Sequence, residues 1–328
     1  MKIGILGAGR IAGTMAGTIN GMMHPDIELY AIASRNLDKA NNFAKEYGIL
    51  KAYGSYEEML KDDAVDLVYI ATPHSEHYTN IKMCIAYKKP MLVEKAFTRN
   101  YKEACEVLAL AKANNVFITE AIWTRYMPSR KLINDLIAKG TIGAIHSIQA
   151  NLGYPISKVE RLIKPELAGG ALLDIGIYPI NFALMVFGDD NVRAIKGDCI
   201  KAPSGVDFID NISLIFNDNK IASLHATCMG PSDRTGFIFG ENGYIAITNI
   251  NNPEKIEVFN KDHQKIMAIP VPQQVSGYEY EVLSCYDSLN HGKLECEEMP
   301  HHLTLKTLAL MDKLRKDWEI NYPGETDF

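Results

Sequence analysis

The chain has no Cys-x-x-Cys pair, no run of lysine or arginine, no internal repeat and no low-complexity tract. Its six cysteines, at 84, 105, 199, 228, 285 and 296, follow no regular spacing, which excludes a zinc ribbon and a disulfide-stapled scaffold. Cys84 and Cys105 fall inside helical patterns, where a small buried thiol is the expected state. A reduced, cytoplasmic protein is expected. No stretch approaches the roughly 18 apolar residues of a membrane span, so no membrane partner is expected. The start, MKIGILGAGR, is too short for a signal segment and is broken by Gly4, Gly7 and Gly9, so it reads as a strand. A net charge of −6 without a basic run leaves no footprint for nucleic acid.

What is present is a globular composition. The 328 residues are 47 % hydrophobic and 23 % charged, which excludes wholesale disorder. At roughly 100–200 residues per domain they suffice for two cores. Up to residue 121, apolar runs (Lys2–Leu6, Ile27–Ala33, Asp66–Ala71, Met91–Glu94, Val116–Glu120) alternate with 3.6-period patterns. Ser55-x-x-Glu58 and Asn100-x-x-Glu103 are helix-start signals, and Gly48 stands where a helix C-cap belongs. Strand–helix alternation predicts right-handed crossovers and a doubly wound parallel α/β sheet over 1–121. The pattern changes over 122–328. One helix, Pro128–Lys139, precedes eight strand-like runs between 145 and 271, several joined by turn residues such as Glu241-Asn242-Gly243. Helices near 277–290 and 303–317 close the chain. A separate α+β domain with a mostly antiparallel sheet follows. Apolar residues alternating along 209–216 and 220–228 raise the prospect of sheet-to-sheet self-association.

Several residues stand where chemistry is done. Gly7-Ala8-Gly9-Arg10-Ile11-Ala12 follows the first strand and opens a helix: a tight turn at Gly7, close approach of a pyrophosphate at Gly9, and close packing at Ala12. An NAD site next shows a carboxylate about 20 residues on, at the end of the second strand. Here the strand ends in Ser34 and Arg35, with Lys39 a turn later. A hydroxyl and two cations suit a 2′-phosphate, so NADP is expected over NAD. Thr72, Pro73 and His74 follow the Asp66–Ala71 run, at a strand end where ligand crevices lie. His74 and His77 are three apart but lack a third metal ligand, so helix capping or cofactor contact is the better reading. Glu94 and Lys95 stand at the end of the next run, Met91–Glu94. A Lys there can polarise a substrate oxygen, and by itself the position suits a solvent-facing Lys equally well. In Gly169–Pro179, Asp174 and Tyr178 share a helical face, and their spacing alone favours an N-cap and a core aromatic. Arg125 suits a cofactor, a substrate anion or a neighbouring carboxylate alike.

Together these elements resemble the Gfo/Idh/MocA oxidoreductase family over essentially the whole chain. The carriers are the Gly7–Ala12 fingerprint, Glu94-Lys95, the Asp174-Ile175-Gly176 segment and Ile320-Asn321-Tyr322-Pro323. Within the family, Ala52–Glu58, Glu120–Arg125 and Gly169–Tyr178 look most like the dimeric dihydrodiol dehydrogenase group, which includes NADP-dependent D-xylose dehydrogenases. The resemblance implies hydride transfer between NADP(H) and a carbinol carbon of a small sugar, polyol or diol, in a homodimer or homotetramer built through the C-terminal sheet. It makes Lys95 and Tyr178 the catalytic pair, assisted by Asp174, with Trp123 lining the substrate pocket and Arg35 and Lys39 on the 2′-phosphate. The family also holds sugar-sensing regulators and NAD-dependent glycosidases. Intact Lys95 and Tyr178 speak against the first, Arg35 and Lys39 against the second. Three positions depart from the common pattern: Ala96 replaces a proline, Tyr178 a histidine and Asn181 a second aspartate.

Overall fold

The computed structural model of the protein describes residues 1–325, and the chain divides into two units. The first comprises Met1–Tyr126 and Gln274–Leu305. Its elements alternate: β1 (Lys2–Leu6), α1 (Arg10–Met22), β2 (Glu28–Ala33), α2 (Leu37–Tyr47), β3 (Lys51–Tyr53), α3 (Tyr56–Leu60), β4 (Leu67–Ile70), α4 (His74–Ala86), β5 (Met91–Glu94), α5 (Tyr101–Ala113) and β6 (Ile118–Ala121). The six strands form one parallel sheet in the order β3-β2-β1-β4-β5-β6. Strands β4, β5 and β6 are buried at every residue, which is why they read as continuous apolar runs rather than alternations. The strand order reverses between β1 and β4, and ligands of such sheets bind at the carboxyl ends beside that reversal.

The helix starts behave as their chemistry dictates. Asn36, Ser55 and Asn100 accept hydrogen bonds from Lys39 N, Glu58 N and Glu103 N at 2.9, 3.2 and 2.9 Å. Each satisfies a backbone donor that the first helical turn leaves unpaired. Strand β3 escapes the sequence reading because three residues, one exposed and two half-exposed, carry no periodicity.

The second unit comprises Met127–Gln273 and the chain from Lys306 onward. It opens with α6 (Pro128–Ala138) and β7 (Ile145–Gly153), then α7 (Glu160–Ile163), a π-turn at Leu172–Gly176 and α8 (Ile177–Phe187). Seven strands follow: β8 (Val192–Lys201), β9 (Asp207–Phe216), β10 (Ile221–Thr227), β11 (Gly236–Gly240), β12 (Gly243–Thr248), β13 (Lys255–Asn260) and β14 (Lys265–Ile269). The eight strands lie in the order β14-β13-β12-β11-β7-β10-β9-β8, antiparallel except where β10 runs parallel to β7. One face of this sheet packs on α8. The alternating residues of β9 and β10 bury Ile212, Leu214, Leu224 and Ala226 there. The outer face is polar at its centre, with Asn211, Ser213, Ser223 and His225 lining an open concavity of about 620 Å³. The apolar alternation that suggested self-association therefore faces α8.

Two corrections follow. The stretch Pro165–Phe187 is long and apolar enough to cross a membrane by length and composition, against the expectation that no such run exists, and 89 % of its window is buried in the protein. Residues 274–305, assigned from sequence to the second domain (122–328, of which 326–328 lie outside the described residues), belong to the first unit. There α9 (Glu279–Asn290) packs on α1, and Thr18 Oγ1 lies 2.8 Å from Ser276 Oγ. The last helix, α10 (His301–Asp317), begins in this segment. Order along the chain carries no record of which core a late helix joins.

Candidate active site

The crevice of the first unit begins at Gly7. Its φ of +104° and the 2.9 Å that would separate an added Cβ from Ala71 O admit only glycine. Gly9 then caps α1 with no side-chain hydrogen bond, no acidic residue occupies the first turn, and Ala12 is fully buried. Arg10 is exposed and Ile11 half-buried in that turn. Uncapped N–H groups at the positive end of a helix, open to solvent over Gly9, make a cradle that fits a pyrophosphate. At the end of β2, Ser34 is buried while Arg35 and Lys39 are exposed on the turn and first helical residues that follow. No carboxylate ends that strand. The residues present fit a nicotinamide dinucleotide.

The next wall comes from β4. Thr72 packs against Gly7 through its methyl group and accepts a hydrogen bond from Asn80 Nδ2 at 2.9 Å. Pro73 caps α4, and His74 and His77 meet edge to face at 5.9 Å. His77 is fully buried, with Nε2 2.8 Å from Thr72 O and Nδ1 2.9 Å from Ala96 O. Burial holds its pKa below the ordinary 6.5, so the neutral ring donates to one carbonyl at a time. Among the described residues no group of three or more His, Cys, Asp or Glu comes together as a metal site.

Lys95 is half-buried at the carboxyl end of β5 and leads a cis peptide to Ala96. Its backbone N–H donates to Glu94 Oε2 at 3.2 Å, and Glu94 Oε1 accepts the buried Tyr69 hydroxyl. Glu281 of α9 is buried beside Glu94, and neither of its oxygens has a hydrogen-bond partner among the described residues. Burial first, then Glu94, raises its pKa well above the ordinary carboxylate value. From β6, Trp123 stacks on Tyr278 at 4.2 Å between centroids and 3° between planes. The indole Nε1 is buried with no hydrogen-bond partner among the described residues. Arg125 is buried and donates from Nε to Glu298 O at 3.1 Å, which ties it to the protein's own backbone.

Asp174 and Tyr178 belong to the second unit, on the π-turn and the first turn of α8. Both are buried. Asp174 is no N-cap, since it lies inside the turn and pairs with Arg161 Nη1 at 2.6 Å. The carboxylate that accepts the Leu172 N–H is Asp207 from β9, pressed against Gly170, whose φ is +116°. Tyr322 Oη donates to Gly169 O at 2.6 Å. Asn181 turns back on its own helix, Nδ2 to Ile177 O at 3.0 Å. Tyr69, Arg161 and Asp207 escaped the sequence reading: a strand tyrosine looks like core, and ion partners 13 and 35 residues from the segment they hold leave no periodic signal.

A glycine turn, an uncapped helix and a crevice at the strand reversal define a dinucleotide-dependent oxidoreductase. The chain belongs to the Gfo/Idh/MocA family: the family model described as an oxidoreductase family with an NAD-binding Rossmann fold matches residues 1–121, and the family's C-terminal domain matches 131–246. It is 33 % identical over 327 residues to the trans-1,2-dihydrobenzene-1,2-diol dehydrogenase of Xenopus tropicalis, covering 98 % of this chain and 99 % of the relative. To the Homo sapiens enzyme of the same name it is 29 % identical over 330 residues, covering 99 % of each. The fold is shared with a 3-ketoreductase from Actinomadura kijaniata solved with NADP and TDP-benzene (TM-score 0.85, 23 % identity, 96 % and 97 % of the two chains). An aldose–aldose oxidoreductase from Caulobacter crescentus gives TM-score 0.85 at 20 % identity, with 97 % of each chain covered.

Proposed function

We propose that the protein interconverts a carbinol and a carbonyl on a small diol, sugar or polyol with NADP(H), and that Lys95 and Tyr178 manage the proton. The observation that carries this is the pairing, on one sheet edge, of the Gly7–Gly9 cradle with Lys95 at the end of β5. Bound nicotinamide supplies the hydride chemistry. The chain's own residues do the rest. Ser34, Arg35 and Lys39 supply a hydroxyl and two cations to a 2′-phosphate, and the exposure of both cations at the end of β2 supports that role. Trp123, whose indole N–H has no hydrogen-bond partner among the described residues, donates to a substrate hydroxyl with Tyr278 backing its ring.

Tyr178 Oη gives or takes the proton of the substrate oxygen. A phenol titrates at about 10, and lowering it by two units requires about 2.7 kcal/mol of preferential stabilisation of the phenolate. On this reading the Lys95 ammonium is the charge that stabilises the phenolate once bound substrate excludes water. Asp174, held by Arg161, keeps the Tyr178 turn in place. The relatives' names point to trans-diols and aldoses as the substrate class. Turnover of a panel of trans-diols, aldoses and inositols with NADP⁺ and NAD⁺ tests the reading. Tyr178→Phe should lower kcat about 100-fold while leaving the NADPH Kd within about twofold. Retention of half the activity overturns the assignment.

The same reading includes a cytoplasmic location and self-association through the outer face of the second sheet. The half-exposed row Phe237, Phe239, Tyr244 and Phe259, with Tyr244 and Phe259 stacked at 4.8 Å, supports it. Light scattering at micromolar concentration decides, and a monomer mass refutes it.

A further inference from the structure

The three residues after β5 are gripped by side chains rather than by secondary structure. Lys95 N–H donates to Glu94 Oε2, Ala96 O faces His77 Nδ1 at 2.9 Å, and Phe97 N–H donates to Glu120 Oε1 at 3.1 Å. Glu120 reaches this loop because β5 and β6 pair in parallel with Val93 opposite Glu120 and Glu94 opposite Ala121. The residue is 1 % exposed, and the second carboxyl oxygen accepts Thr304 Oγ1 at 2.9 Å. Tyr126 Oη donates to its backbone carbonyl at 2.8 Å. We propose that Glu120 is a positioning residue for Lys95, and that its ionised carboxylate fixes the 95–97 loop at the Phe97 N–H in the arrangement turnover requires. The proposal rests on the reading of Lys95 as catalytic.

The chemistry is that of one acceptor in two states. An ionised carboxylate takes both the Phe97 N–H and the Thr304 hydroxyl in charge-assisted hydrogen bonds, about twice as strong as neutral ones. Once protonated, the group must carry its hydrogen on one oxygen. Only Thr304 can turn its hydroxyl to accept it, which leaves a neutral carbonyl for Phe97 N–H. The loop is then held half as firmly. The charged groups acting on Glu120 are Glu94 from β5, which opposes its ionisation, and Arg125 from the turn at Trp123–Arg125, which favours it. Glu281, its ionisation disfavoured by burial, lies next to Glu94, and Thr304 is the facing group of α10. Burial outweighs these partners and pushes the Glu120 pKa up to about 7, so both states are populated in the neutral range.

The test follows the Phe97 amide signal by NMR and kcat together from pH 5.5 to 8.5, with NADP⁺ and an aldose or trans-diol, in the protein and in Thr304→Val, Glu120→Gln and Lys95→Ala. The Phe97 signal is expected to titrate near pH 7, with kcat rising along the same curve. Thr304→Val removes a donor to the ionised form and should move both midpoints up by about 1 pH unit. Glu120→Gln mimics the protonated state: its Phe97 signal should not titrate in this range, and kcat should stay about fivefold below the high-pH value of the parent, the factor for about 1 kcal/mol. A flat Phe97 signal in a protein that needs Lys95 overturns the proposal. So does a kcat curve that stays put in Thr304→Val while the Phe97 midpoint moves. Turnover surviving Lys95→Ala overturns the underlying reading with it. Thr304→Val keeps the test open if Glu120→Gln fails to fold.

Discussion

Glu120→Gln also has a consequence for stability, independent of turnover. The carboxyl moves from an ordinary 4.5 to about 7 because folding buries it completely. A group whose folded pKa is raised contributes stability that is fully present below its unfolded pKa and is lost as pH climbs through its folded value. At about 1.4 kcal/mol per pH unit, ionised Glu120 costs the folded state about 3 kcal/mol above pH 7. Glutamine keeps the shape and both hydrogen bonds and carries no charge at any pH. Subtracting variant from parent cancels Asp207, Asp210 and the other carboxyls that have no interaction with Glu120. Urea denaturation at pH 5.5 and 8.5 reads the remainder: the variant should gain about 2 kcal/mol on its parent between these two values. Parallel stability curves across that range would refute the reasoning, because they would mean Glu120 keeps a solvent-like pKa.

Other outcomes are as direct. Replacing Arg35 and Lys39 together by alanine should raise the KM for NADP⁺ about 10-fold or more and leave NAD⁺ nearly unchanged, as initial rates will show. Tyr322→Phe deletes the 2.6 Å hydrogen bond to Gly169 O and strands a buried carbonyl, a loss of about 2 kcal/mol in the unfolding free energy measured in urea. No change there would mean water replaces the hydroxyl.

Much of the first unit was legible because local chemistry dictates it. Ser55 and Asn100 cap within three residues of themselves, and the Gly7 turn is steric. The absence of a carboxylate after β2 is visible without coordinates. Asp174 misled because a capping residue and a buried ion partner share one side-chain chemistry, and Arg161 is what separates them. The late helix α9 misled because amphipathicity names a face to bury and not the core that receives it.

The sequence by itself determined the α/β alternation, the dinucleotide cradle, the cationic end of β2 and the positions of Lys95 and Tyr178, since each is written in periodicity, backbone sterics or local charge. Tertiary structure alone decided which groups are desolvated and which distant atoms meet. Glu120 differs from an exposed glutamate only through burial, and Phe97 and Thr304 reach it from 23 and 184 residues away. Asp207 reaches Leu172 across 35 residues. Solvation and long-range hydrogen bonding depend on packing, and packing is a property of the folded chain as a whole.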